Sequence, residues 1–391
     1  MAKPNIYEMA QQFRAALELR ERKAAVRLIE AYRLAYERLA AQLNGLLAQI
    51  ETAKTNGEVV DQSWLIRQER YRALIAQTLR EMGRFADLAG NVITAQQRKA
   101  IEQAINDSEQ IINTEIEIGG VLGEFNRISK SATENIVGFL SDGSPLNTLL
   151  GQLVPSAKLI VEQGLINGVI QGRNPRAVAR EIREGLGDNL TRALRIARTE
   201  TIRAYRETSY KSYQENTDII EGWYWLSALG KSKRLPCRAC IALHGTFHSI
   251  DERLKGHVQC RCTQVPGVQG VDLGIQKGID WFKKQPSAIQ KEVLDRNGEY
   301  AAYRSGKVKL EDFVGLRRNL QWGDSYQALG LKRALAGEGQ FPGDAPKPTP
   351  KPKPVPPPKP VPPPKPVPPP KPVPPPKPTP KPKPVPPPKP V

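Results

Sequence analysis

The chain is poor in the residues that most often carry chemistry. Its 391 residues hold three histidines, four cysteines and three methionines. No His-x-Glu and no His-Glu-x-x-His pattern occurs, which removes the commonest frames for a catalytic zinc with a neighbouring acid or base. No glycine-rich loop is followed by Lys-Ser or Lys-Thr, so a phosphate-cradling ATPase motif is excluded. No apolar run approaches the ~18 uninterrupted residues of a membrane helix; the most apolar stretch, 146–170, is broken by Lys158 and Glu162. The opening residues, Met-Ala-Lys-Pro-Asn-Ile-Tyr-Glu, lack the basic-then-apolar layout of a secretion signal, which points to synthesis and folding in the cytosol. A disulfide framework is not expected there.

Acid is missing altogether from 345–391. Those 47 residues contain 28 prolines and 10 lysines, and the unit Lys-Pro-Val-Pro-Pro-Pro starts at Lys353, Lys359, Lys365, Lys371 and Lys383. Proline fixes φ and removes a donor, so this tail reads as disordered or polyproline II rather than globular. With three residues per turn, a six-residue spacing lines those five lysines on one face. Fully extended, the tail would reach on the order of 145 Å. The chain's net charge is +18 and the ten tail lysines supply more than half of it. Such an arm suits a polyanion, most simply DNA, with the five lysines as the contacts. A rival use is as a ligand for aromatic-grooved proline-recognition domains, or as a spacer.

The 344 residues before the tail are long enough for two or three domains. The pattern predicts one helix over 5–55, because Leu28, Tyr32, Ala35, Leu39, Leu43, Leu46 and Ile50 recur every three or four residues. A second helix is expected over 62–88, with Leu74, Ile75, Leu79, Met82 and Phe85 inward, and a third over 94–117. Together 1–128 reads as a long-helix region for docking a partner or a second copy. Gly119-Gly120 and 129–135 read as a linker. Helices are expected again over 147–216, with a turn at 172–175, a short helix over 175–185 and a longer one from 187. Gly222-Trp-Tyr-Trp and Cys262-Thr-Gln-Val-Pro read as short strands, and 280–282 and 310–320 as helix. The expected fold is mainly α with a small α+β lobe stabilised by zinc, followed by the tail.

All four cysteines lie between 237 and 262, in the frame Cys237-x2-Cys240-x16-His257-x2-Cys260-x-Cys262. Two ligands on one turn, met by more from a second segment, can close a tetrahedral zinc site, and five candidates compete for four positions. Free thiols and disulfide pairing are the alternatives. Lys231, Lys233, Arg234, Arg238 and Arg261 stand nearby to offset thiolate charge. His244 and His248 are less well spaced and read as surface residues. Arg198-Thr199-Glu200 lies mid-helix. Propensity favours a solvated face with intrahelical ion pairs, and the alternative is a buried polar network pinning this helix to the Cys-rich lobe. Trp223 and Trp225 share a strand face and read as core or interface anchors. The cysteine cluster alone would admit a zinc hydrolase or a toxin-like enzyme, but no acid-base partner is spaced for it.

The order of these pieces resembles one family. Gly168 to Arg173, then Ile196-Ala-Arg-Thr-Glu-Thr-Ile-Arg-Ala, Gly222-Trp-Tyr-Trp, Cys237-x-x-Cys240 with Leu243-His-Gly, and His257-x-x-Cys260-Arg-Cys262 resemble the Mu F-like minor head (head morphogenesis) proteins of tailed phages. Asp280-Trp-Phe, Gln285-Pro286, Gln290, Tyr303-x-x-Gly306 and Leu310-x-Asp312 look like its continuation, so the similarity spans roughly 150–320. The resemblance implies a Mu F-like domain over 145–340 and a non-enzymatic minor capsid protein. It implies portal or capsid partners, a place in the head interior of the virion, and a role in assembly, packaging or ejection. Arg198, Thr199 and Glu200 match the family's polar element, and Cys237, Cys240, His257, Cys260 and Cys262 its metal-binding knot. One departure stands out: Lys255-Gly256 precedes His257 where the family commonly has prolines.

Overall fold

A computed structural model describes residues 5–129, 132, 145–229, 235–294, 296, 298–318 and 323–347. The five tail lysines, Lys231, Lys233, Arg234 and most of 129–135 lie outside the described residues. The described fold is mainly helical with a small sheet region.

α1 runs Ile6–Thr55. Asn5 caps it by accepting a hydrogen bond from the Glu8 amide at 3.1 Å. All seven residues of the apolar stripe are buried. α2 is a short turn of helix, Gln62–Arg67, capped by Asp61. α3 runs unbroken over Glu69–Gly119, so the two helices expected at 62–88 and 94–117 are one. The glycine at position 90 would ordinarily weaken a helix by ~1 kcal/mol relative to alanine, but it packs toward Leu150 and the helix continues. Leu79, expected inward, is 38% exposed. At 1.5 Å per residue α1 and α3 are each about 75 Å long. Arg20 meets Gln103, Arg38 meets Glu81, and Gln49 meets Gln68, so the two helices run antiparallel.

α4 (Pro145–Gly151) and α5 (Leu153–Ile170) follow. By length and composition alone 146–170 is apolar enough to cross a membrane. Here Leu153, Ala157, Val161 and Leu165 are buried in a helical core shared with α1, α3 and α6. α6 spans Pro175–Gln214, with Asn174 as cap and proline in the first turn as expected. The expected break near 185–187 is absent. Glycines here serve close helix packing instead: a Cβ at Gly164 or Gly168 would meet Ile182 or Val178, and one at Gly185 would meet Ile160.

β1 (Ile220–Leu226) is the centre of an antiparallel sheet in the order β2-β1-β3, flanked by β2 (Phe247–Ser249) and β3 (Thr263–Val268). α7 (Arg238–Leu243) separates β1 from β2. Small helices α8 (Gly278–Lys283), α9 (Ser287–Val293) and α10 (Glu299–Arg304) complete one side. The helix expected at 310–320 is instead a 3₁₀ turn, Glu311–Phe313, followed by β4 (Val314–Arg317), which pairs with β5 (Ser325–Ala328). Phe313 and Val314 are buried in the lobe core, and that burial over a short span fits a strand and defeats a helical periodicity. A last short helix, α11, covers Leu331–Leu335.

Two large cores result. One is purely helical, from Leu28 of α1 to Ala197 of α6. The other gathers Trp223 and Trp225, the cysteines and the small helices, and it also takes Ile6 and Ala10 of α1 and Ile111 and Ile112 of α3. The long helices therefore enter both cores. Trp223 and Trp225 are buried anchors with ring centroids 6.3 Å apart.

Candidate metal centre

The knot is built from two chain segments. Cys237 stands at the start of α7, which lifts Cys240 one turn further on. The second segment, 256–262, turns through Gln259 at φ 65° and leads into β3. Between them Cys237 Sγ lies 3.4 Å and Cys240 Sγ 3.3 Å from His257 Nε2, and Cys240 and Cys260 sulfurs are 3.7 Å apart. Cys237, Cys240 and His257 form one group with ligand atoms within 4.8 Å of one another, and Cys240, Cys260 and Cys262 form a second. Cys240 belongs to both.

These separations test whether a metal fits. Zn–S of ~2.3 Å and Zn–N of ~2.0–2.1 Å at tetrahedral angles put sulfurs roughly 3.8 Å apart and sulfur and nitrogen roughly 3.6 Å apart. The knot's three pairs agree to within a few tenths of an ångström. His257 is also oriented as a ligand. Its Nδ1 is 2.8 Å from the Val258 carbonyl, which as an N–H donor leaves Nε2 free to face the sulfurs. Each group of three residues could hold a metal ion.

Electrostatics points the same way. Hydrogen bonding from Cys240 holds the Cys237 and Cys260 thiols well below the usual range. Burial would push His257 down, but the Cys260 and Cys237 charges raise it to about 10. Of the basic residues expected to offset the thiolates, Arg238 and Arg261 are among the described residues, and both pair with acids. Arg238 pairs with Glu299 at 2.9 Å and donates to the Leu329 carbonyl, and Arg261 pairs with Glu21 at 3.1 Å. Arg206 of α6 serves the knot instead: it donates to the carbonyls of Cys262 and Cys260 at 2.8 and 3.0 Å.

The Arg198-Thr199-Glu200 face is only partly solvated. Glu200 is fully buried. Arg198 pairs with Glu21 of α1 and donates to Gln259 at 3.1 Å. Thr199 Oγ1 accepts the Gln259 amide at 3.3 Å. Glu21, only 5% exposed, receives both Arg198 and Arg261 and so joins three segments far apart in sequence. Nothing local in the sequence marks Glu21 or Arg206 for these roles. Their partners arrive only on folding.

His244 and His248, expected at the surface, are buried at 1% and 4% exposure. His244 Nδ1 accepts the Ser227 amide at 2.8 Å, and burial lowers its pKa to about 3. His248 stacks on Trp223 at 4.2 Å, with Glu252 2.9 Å from Nδ1 and Thr246 2.8 Å from Nε2. Both histidines are structural hydrogen-bonding groups and neither joins the knot.

Comparison with known proteins bears on this same region. A protein of Enterococcus faecalis (strain ATCC 700802 / V583) named NAD(+)--arginine ADP-ribosyltransferase EFV is 30% identical over 135 residues, which is 30% of this chain and 27% of that one. The chain thus spans about a quarter of this relative's length. No solved structure matches. Residues 160–265 match the family described as Phage Mu protein F like protein, a range that takes in the Arg-Thr-Glu helix, the β1 tryptophans and all five knot residues. The resemblance read from the order of the motifs is thereby supported over 160–265, where this chain is similar to Phage Mu protein F like proteins.

Proposed function

We propose that this chain is a minor head protein of a tailed phage, a structural component without catalytic activity. The observation that carries the reading is the family match over 160–265, which coincides with the knot and with the helix that grips it. In this reading Cys237, Cys240, His257 and Cys260 hold a structural zinc, with Cys262 as an adjoining fourth thiol. The long helices dock the portal, capsid subunits or a second copy inside the head. The tail lysines, Lys353, Lys359, Lys365, Lys371 and Lys383, contact packaged DNA.

Quantitative mass spectrometry of purified particles tests the reading. The expected result is low-copy presence beside portal and major capsid proteins; absence from both mature and immature particles overturns it. Zinc content of the purified chain tests the metal, with about one ion per chain expected.

The similarity to an NAD(+)--arginine ADP-ribosyltransferase favours one rival. It covers about a quarter of that protein. Incubation with NAD⁺ and an arginine acceptor decides: no nicotinamide release is expected, and release abolished by a point substitution would make this chain an enzyme.

A further inference from the structure

Beside the knot, a cleft gathers positive charge, most of it on residues with no role above. It lies between α6, the 253–258 loop and 323–325, and measures about 240 Å³. That is below the roughly 300–1,000 Å³ of pockets for drug-sized ligands, and it suits one compact charged group. Four cations line it, Arg203, Arg206, Arg253 and Lys255, against two acids, Glu207 and Asp324.

Arg203 makes contacts of its own, and the other three cations still outnumber the two acids. Glu207 is engaged by Arg253 at 3.4 Å. Arg206 spends its hydrogen bonds on the carbonyls of Cys260 and Cys262, which orient a guanidinium without neutralising it. Lys255 Nζ lies 5.8 Å from the centre of the Tyr326 ring, again without loss of charge. The cleft is also built. The Lys255 carbonyl accepts the Tyr326 amide at 2.8 Å, fixing the loop against β5. A Cβ at Gly256 would stand 2.3 Å from Arg206 Nη1, so only glycine lets the backbone approach this guanidinium. Lys255-Gly256, the pair that departs from the family's pattern, thus supplies both a cation and the space for another.

We propose that this cleft binds a phosphate group, either a phosphodiester of a nucleic-acid backbone or the terminal phosphate of a nucleotide. Guanidinium groups and an ammonium lining one small site match the charge of phosphate. An apolar ligand would leave these cations desolvated and unpaired. The site is separate from the tail and does not depend on the tail's contact with DNA.

The test is calorimetric titration of the full-length chain with inorganic phosphate. Arg253 and Lys255 are surface residues, so R253Q/K255Q is expected to fold, with an unchanged circular dichroism spectrum, and to lose about tenfold in affinity, as the loss of charge-assisted hydrogen bonds implies. D324N, which removes a negative charge, is expected to bind severalfold tighter. Replacing the five tail lysines by glutamine is expected to leave phosphate binding unchanged. Competition in that tail variant separates the sources. An oligonucleotide without terminal phosphates that displaces phosphate identifies the backbone, and displacement by a nucleoside triphosphate alone identifies a terminal phosphate. No binding by the natural chain, or equal binding by R253Q/K255Q and D324N, overturns the proposal.

Discussion

The two halves of the fold are held together by different physics. In the helical half, α1, α3, α5 and α6 meet through leucine, isoleucine and alanine, with glycines where helices approach most closely. Burial of apolar surface there is non-directional and tolerant of small changes. In the lobe, strands of three to seven residues and helices of five to seven enclose buried histidines, glutamines, an Arg238–Glu299 ion pair and the cysteines. Elements so short cannot stand alone. Their polar groups each need a specific partner. The helical half should therefore yield gradually to substitution, and the lobe abruptly.

The largest effect is expected from Cys240→Ser, because Cys240 belongs to both groups of the knot. Structural zinc sites couple roughly 10–16 kcal/mol of metal binding to folding in zinc-finger peptides. Loss of zinc and rapid proteolysis within 220–345 are expected, with the helical half still resistant; retention of zinc and of protease resistance would erase the contrast. Leu153→Ala, in a fully buried position of α5, should cost about 2–5 kcal/mol while zinc content stays unchanged, as read by denaturant melts and metal analysis. Glu21→Gln should cost about 2–4 kcal/mol, because it leaves Arg198 and Arg261 without their shared carboxylate. Hydrogen exchange should show its loss at both α1 and 257–262; a loss confined to α1 would mean that the contact does not join the halves.

A smaller effect with the opposite sign is expected at Glu115. Burial raises its carboxyl from the ordinary 4.5 to about 8, and one oxygen accepts only the Val268 amide at 2.9 Å. The folded chain keeps a proton that the unfolded chain releases, so stability falls as pH rises from about 4.5 to about 8 and is level beyond. Glu115→Gln should be neutral at pH 4 and stabilising at pH 9. Thermal melts across that range check it, and equal melting shifts at both ends would remove the assignment.

Legibility differed between the halves for the same reason. The stripe of α1 was readable because its seven apolar positions all face one core. The breaks expected near 90 and 186 were misread, because a glycine looks the same in sequence whether it ends a helix or admits a neighbouring one. In the lobe the cysteine spacing exposed the knot, while β2 and the β4–β5 hairpin were too short to carry a pattern. His244 and His248 were placed at the surface since nothing local shows that Ser227 and Trp223 will cover them.

The sequence by itself determined what depends on neighbours along the chain. That includes the helical stripe of α1, the caps at Asn5 and Asn174, the tryptophan strand, the spacing of Cys237, Cys240, His257, Cys260 and Cys262, and the order of motifs that carries the family resemblance over 160–265. Tertiary structure decided what depends on partners distant in the chain. It set Glu21 between Arg198 and Arg261, turned Arg206 onto the cysteine carbonyls, and extended α3 and α6 through their glycines. A charge or a glycine is ambiguous until its partner is in place. A periodicity or a cap is completed within a few residues and needs no such partner.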